Sequence, residues 1–175
     1  MYELKQKRTM TMFYNLLAKT NNTTLVLFVP MLCSFLIAFF SLKFFKRILP
    51  KDQGRAFAVN GALSEGKPRG AGIIFVTSFT LCTALFYPLD IENIIYLVLV
   101  YAAMLSGYFD DAAETAWNEY KKGIIDFAIA IVAGVTYLNF NGCGVQFLQW
   151  SFTLPYAVYL LLIVILIWAS INVVN

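Results

Sequence analysis

Five apolar stretches, each close to the length that crosses a lipid bilayer, constrain this sequence more than any other feature. They are residues 25–42, 70–89, 93–109, 123–140 and 153–174. A helix needs about 20 largely apolar residues to span the hydrocarbon, and here 60% of the chain is hydrophobic and only 13% is charged. We therefore predict an all-α polytopic integral membrane protein. It would have about five transmembrane helices within a membrane domain at residues 25–175, after a polar and basic segment at residues 1–24.

Composition also excludes several classes of function. The chain has no histidine, which rules out histidine-based zinc sites and Ser-His or Cys-His catalysis. Its three cysteines show no metal-binding or disulfide spacing. A formal charge of +3 is too small for a nucleic-acid-binding protein of this size, so no nucleic-acid partner is expected and the main partner is the lipid bilayer.

The distribution of basic residues predicts the orientation in the membrane. Residues 43–69 carry seven of the 13 Lys and Arg residues. Because basic loops are retained in the cytoplasm, alternation places residues 110–122 and the C-terminal end on that side as well. The uncharged residues 141–151 would lie outside. All the polar motifs described next would then share the cytoplasmic face.

The first motif is the acidic pair Asp110-Asp111, which directly follows the third apolar stretch. Carboxylates beside hydrocarbon are costly and often mark a functional site. Adjacent side chains on a helix point about 100° apart, so one carboxylate could hold Mg²⁺ while the other orients or deprotonates a nucleophile. Mg²⁺ suits such a pair, because it completes its shell with water and substrate phosphates. A solvated helix end without catalytic role is the alternative.

A second motif is the loop Gly66-Lys67-Pro68-Arg69-Gly70-Ala71-Gly72. Its Lys67 and Arg69 are candidate phosphate ligands, and Gly70 and Gly72 would let the backbone approach an anion closely. The alternative is a basic loop that enters a span through closely packed glycines.

Weaker candidates lie further along the chain. Lys121 and Lys122 could bind phosphate, although lysines at lipid headgroups need no catalytic role. Asp126 lies three residues inside a span and is a lower-ranked site candidate. The polar pair Asn172 and Asn175 shares one helix face at the end of the fifth span.

Taken in order, GKPRGAGI (66–73), GYFDD (107–111) and NVVN (172–175) resemble the motifs of the polyprenyl-phosphate N-acetylhexosamine-1-phosphate transferases. That family has about ten spans, and the resemblance covers its first half. The resemblance implies catalytic and metal-binding roles for Asp110 and Asp111, with Mg²⁺ as cofactor. It implies that Lys67, Arg69, Gly70, Gly72, Asn172 and Asn175 bind substrate.

The resemblance also implies a reaction. A UDP-sugar would transfer its phospho-sugar to polyprenyl (undecaprenyl) phosphate and release UMP at the bacterial cytoplasmic (inner) membrane. The most similar branch transfers phospho-MurNAc-pentapeptide in peptidoglycan synthesis. Because the chain stops at Asn175, before the acidic residues that complete the third motif, we expect a truncated product that is inactive alone. A homodimer is one of the assemblies left open.

Three alternatives remain at this point. The sugar could be GlcNAc for another cell-envelope polymer. The chain could be a non-catalytic remnant or subunit. Asp110, Asp111 and Glu114 also resemble the DDxxD pattern with which prenyl-diphosphate enzymes hold Mg²⁺-diphosphate, but such sites come in pairs and this sequence has no second acid-rich motif.

Overall fold

The predicted helical architecture is confirmed. The computed structural model describes residues 13, 15–16, 19–20, 22–51, 65–113 and 117–173. Its main elements are the helices α1 (Thr23–Phe45), α2 (Gly72–Phe86), α3 (Ile91–Ala112), α4 (Glu119–Asn141) and α5 (Tyr156–Val173), and the strands β1 (Gly144–Phe147) and β2 (Trp150–Thr153).

Four of the helices, α1, α3, α4 and α5, are long and apolar enough to cross a membrane, whereas α2 is a shorter apolar helix. The 15 residues of α2 extend over roughly 22 Å at 1.5 Å per residue. This helix is shorter than the predicted stretch at 70–89 at both ends. Gly70 has a positive φ of 68°, and Tyr87 is extended because the residue before a proline disfavours the helical region.

Local side chains define where two of the long helices begin. The Asn22 side chain accepts hydrogen bonds from the backbone N–H groups of Thr24 and Leu25 and so caps α1. Asn118 caps α4 in the same way through the N–H of Tyr120. At the other end of α4, Gly142 adopts a φ of 77°, which glycine tolerates and which stops the helix.

The chain divides into two compact units. The first comprises residues 1–90 and 107–116, and in it α1 packs against α2. The second comprises residues 91–106 and 117–175, and in it α4 packs against α5. Small residues are buried on these helices, as is usual where helices pack in membranes: Ala38, Ser78 and Cys82 in the first unit, and Ala130, Gly134 and Thr136 in the second.

The surface of these helices is strongly apolar. Large side chains such as Leu27, Phe35 and Leu166 are exposed, as expected where lipid and not water is the surrounding medium. An additional feature was not predicted: between α4 and α5, β1 and β2 form an antiparallel hairpin.

Candidate functional site

The basic loop before α2 is held in place by backbone contacts. Lys51 and Pro68 form an isolated antiparallel bridge, and the N–H of Arg69 donates to the carbonyl oxygen of Pro50 at 2.7 Å. Two glycines allow the required turns, since Gly66 and Gly70 have φ values of 79° and 68°. The loop therefore has a defined path that leads directly into α2.

Gly70 lies directly against the aromatic ring of Tyr108 near the end of α3. A Cβ added at Gly70 would lie 3.0 Å from Cδ2 and 3.3 Å from Cε2 of Tyr108. Such a separation is tighter than ordinary van der Waals contact, so only glycine fits here without a shift of the ring. This close approach positions the loop beside the residues that immediately follow Tyr108 and Phe109, which are the acidic pair.

The acidic pair lies in the last turn of α3, because the helix continues to Ala112 and not only to residue 109 as predicted. Arg69 Nη2 lies 3.5 Å from Asp111 Oδ1, and the two side chains are 29% and 31% exposed. Asp110 is also half-buried. The structure thus brings the loop motif and the acidic motif together within the first unit.

The dipoles of α3 and α2 also favour charged ligands at this site. The carbonyl end of a helix carries a partial negative charge, which disfavours carboxylates there by about 0.3–1 kcal/mol each. Asp110 and Asp111 occupy that end of α3, so the local potential attracts cations. The loop with Lys67 and Arg69 precedes the N-terminus of α2, where backbone N–H groups favour anions, and its capping residue Ala71 makes no side-chain cap. The site therefore combines a cation-attracting and an anion-attracting helix end.

The carboxylates of Asp110 and Asp111 fit Mg²⁺ if water and substrate phosphates supply its other ligands. Among the residues that the structure describes, no group of three or more His, Cys, Asp or Glu side chains could enclose a metal. Mg²⁺ needs no such cage, since it is commonly held by one or two carboxylates together with waters and substrate phosphates. Asp110 and Asp111, on a helix end of negative potential, meet that requirement.

The remaining candidates lie in the second unit. Lys121 is exposed and lies over the Trp117 ring, 3.5 Å from its centroid, whereas Lys122 is half-buried. Asp126 is buried, with 7% of its surface exposed, and lies one helical turn after Lys122. It therefore faces the protein interior.

Asn172 lies beside an open cavity of about 570 Å³ between α4 and α5. Its Nδ2 donates to the carbonyl oxygen of Trp168 at 2.8 Å, and Trp168 Nε1 in turn donates to the carbonyl oxygen of Gly123 at 3.1 Å. Asn175, and Glu114 of the alternative DDxxD reading, lie outside the described residues.

Sequence reasoning missed the two residues that position the loop, Pro50 and Tyr108. Tyr108 lies within the GYFDD motif, so its closeness to the acids was the available signal. Pro50 gave none, because its role depends on a backbone hydrogen bond to a residue distant in sequence.

Comparison with known proteins agrees with the motifs. Residues 93–175, which include the acidic pair and the two asparagines, match the model of the family Glycosyl transferase family 4. Over 136 residues the chain is 38% identical to two curated proteins named Phospho-N-acetylmuramoyl-pentapeptide-transferase, which come from two strains of Treponema pallidum. No solved structure matches the chain.

The matches to the two curated proteins cover 74% of this chain and 37% of each relative. The chain therefore spans little more than a third of the length of the curated relatives it matches. The resemblance inferred from the three motifs is confirmed over the matched part of the chain.

Proposed function

We propose that this chain, whose residues 93–175 match Glycosyl transferase family 4, carries the metal- and phosphate-binding part of a membrane transferase. The reaction is Mg²⁺-dependent transfer of phospho-MurNAc-pentapeptide from a UDP-sugar to undecaprenyl phosphate, with release of UMP. The site lies at the cytoplasmic face of the bacterial inner membrane, the side to which the basic loop is assigned by the positive-inside rule.

One observation carries the proposal. Arg69 and Asp111, which belong to different motifs, lie 3.5 Å apart at the polar end of a membrane helix. A pair this exposed adds only about 0–1 kcal/mol to stability, so stability alone gives little reason for placing two acids at an unfavourable helix end. Binding of a metal and a diphosphate gives a better reason. The names of the relatives support the same reaction.

The residues divide the chemistry between them. Phosphoryl transfer depends on in-line positioning and on neutralisation of charge more than on covalent help from the protein. Lys67 and Arg69 attract the diphosphate, and the guanidinium can bind a phosphate bidentately while Asp111 holds it in orientation. Asp110 and Asp111 would hold Mg²⁺, which supplies further charge neutralisation when bound. Because one substrate is a lipid and the other is soluble in water, a site at the membrane surface admits both.

The test uses a chimera, because the chain is much shorter than its relatives. The matched stretch of this chain replaces the corresponding stretch of the Treponema pallidum protein, and UMP release is measured with undecaprenyl phosphate and Mg²⁺. UDP-MurNAc-pentapeptide and UDP-GlcNAc are compared as donors, and the former is expected to be used.

Asp111→Asn should reduce UMP release by about 10²–10³-fold or more, the size typical when one stabilising contact to the transition state is lost, because the variant lacks a carboxylate that would hold Mg²⁺. Arg69→Lys should retain part of the activity, because charge is kept but the bidentate geometry is lost. Asp90→Asn is the matched control for removal of one carboxylate, since Asp90 lies outside the site, and should leave turnover unchanged. Full turnover of Asp111→Asn in a membrane-inserted chimera would contradict the role of the acidic pair.

A further inference from the structure

The hairpin between α4 and α5 has two chemically different faces. Residues alternate between the faces along a strand, and paired residues share a face. One face contains the pair Val145↔Phe152 together with Trp150, which lies two residues before Phe152 on the same strand. The other contains the pairs Gly144↔Thr153 and Gln146↔Ser151. By residue type, one face is thus entirely apolar and the other is small or polar.

Most of the apolar face is left uncovered by the described residues, although Val145 is half-buried. Trp150 is 77% exposed and Phe152 is 47% exposed. The turn presents Leu148, which is 83% exposed and adopts a φ of 55°. A large apolar residue is uncommon at positive φ, so the fold keeps an apolar group at the tip where glycine or asparagine would be less strained.

The hairpin and the residues that follow it contain no charged side chain that would favour exposure to water. No Asp, Glu, Lys or Arg occurs after Asp126. A two-stranded hairpin alone is at best marginally stable in water and needs a surface to pack against. The hairpin begins three residues after α4 ends at Asn141, and α5 begins three residues after the hairpin ends, so it lies at the boundary of two spans.

We propose that the apolar face of the hairpin, defined by Val145, Trp150, Phe152 and the tip residue Leu148, lies in the headgroup interface of the bilayer as a membrane anchor. This is the membrane side at which α4 ends. Tryptophan is enriched at such interfaces, where its ring is accommodated between hydrocarbon and water. The strand pairing satisfies backbone groups of the hairpin, and Gln146 and Ser151 on the other face point to water. This inference is independent of the proposed transfer reaction.

The test is fluorescence of Trp150 in the whole chain reconstituted into phosphatidylcholine and phosphatidylglycerol vesicles. The variant Trp117→Phe/Trp168→Phe leaves Trp150 as the sole tryptophan and does not alter the hairpin. Its emission should be blue-shifted, quenched by lipids brominated near the headgroup, and poorly quenched by aqueous acrylamide. If the two replacements change the helix content seen by circular dichroism, the difference between wild type and Trp150→Phe gives the same signal.

A matched control moves the indole by one residue to the opposite face. Trp150→Phe/Ser151→Trp in the same background should give red-shifted emission and strong acrylamide quenching, because a shift of one position along a strand reverses the face. Equal quenching of the two proteins would overturn the proposal. Strong quenching of Trp150 by acrylamide would also overturn the proposal. Quenching by neither acrylamide nor brominated lipid would overturn it as well, since that result would indicate a protein partner instead of lipid.

Discussion

Replacement of Gly70 by alanine should release the basic loop from the acidic pair. Two costs add. An alanine held at a φ of 68° costs about 1–2 kcal/mol. A Cβ placed 3.0 Å from the Tyr108 ring adds overpacking of about 1–3 kcal/mol. The free energy that holds the loop in place should therefore fall by about 2–5 kcal/mol.

The assay is hydrogen exchange at the Arg69 amide, which donates to the carbonyl oxygen of Pro50 at 2.7 Å. Gly66→Ala is the control, because Gly66 has a φ of 79° but no atom lies within 4 Å of its added Cβ. Both variants hold an alanine at positive φ and so have the same kind of backbone strain. Only Gly70→Ala also places a Cβ against the Tyr108 ring. The Gly70→Ala protein should lose roughly 5- to 150-fold more protection than the Gly66→Ala protein, at about 1.4 kcal/mol for each factor of ten.

A double-mutant comparison tests the cause. In a Tyr108→Ala background, the effect of Gly70→Ala should shrink to about that of Gly66→Ala, since only the backbone cost remains. If Gly70→Ala and Gly66→Ala lose the same protection, or if removal of the Tyr108 ring changes nothing, the ring does not position the loop.

Two further variants test the packing and capping of the helices. Gly134→Val should lower the thermal unfolding temperature in detergent, because a Cβ there would lie 2.9 Å from Leu160 Cδ1 and overpacking costs about 1–3 kcal/mol. Gly123→Ala on the same helix places its Cβ in open space and should leave the unfolding temperature unchanged. Equal unfolding temperatures of the two variants would contradict close packing at Gly134. Asn22→Ala should speed amide exchange in the first turn of α1, because loss of the cap lowers the stability of the helix by about 1 kcal/mol. Asn22→Asp should preserve the cap and the slow exchange. Loss of protection in both variants would mean that the side-chain oxygen is not what stabilises the turn.

The helices could be predicted because their cause is local. A run of apolar residues long enough to cross the bilayer must satisfy its backbone hydrogen bonds internally, and a helix does so within a single segment. The predicted stretches at 25–42, 93–109 and 123–140 each lie inside a helix that extends further. Residues 70–89 gave a shorter helix, because Gly70 and Pro88 act on backbone geometry in a way that average hydropathy does not register.

The hairpin at residues 144–153 escaped prediction for a related reason. Its alternation of apolar and polar residues extends over only four residues in each strand, too few to stand out beside two strongly apolar spans. Its pairing register, and so the existence of an entirely apolar face, depends on the turn at Leu148.

For the candidate site, residue chemistry and tertiary structure decided different things. The amino-acid sequence by itself determined which groups were available, because carboxylates and basic residues beside apolar spans are conspicuous. Only the tertiary structure decided that Arg69 contacts Asp111 and that Tyr108 lies against Gly70. Those contacts join segments far apart along the chain, and they depend on the path of a loop whose turns and backbone hydrogen bonds no local pattern specifies.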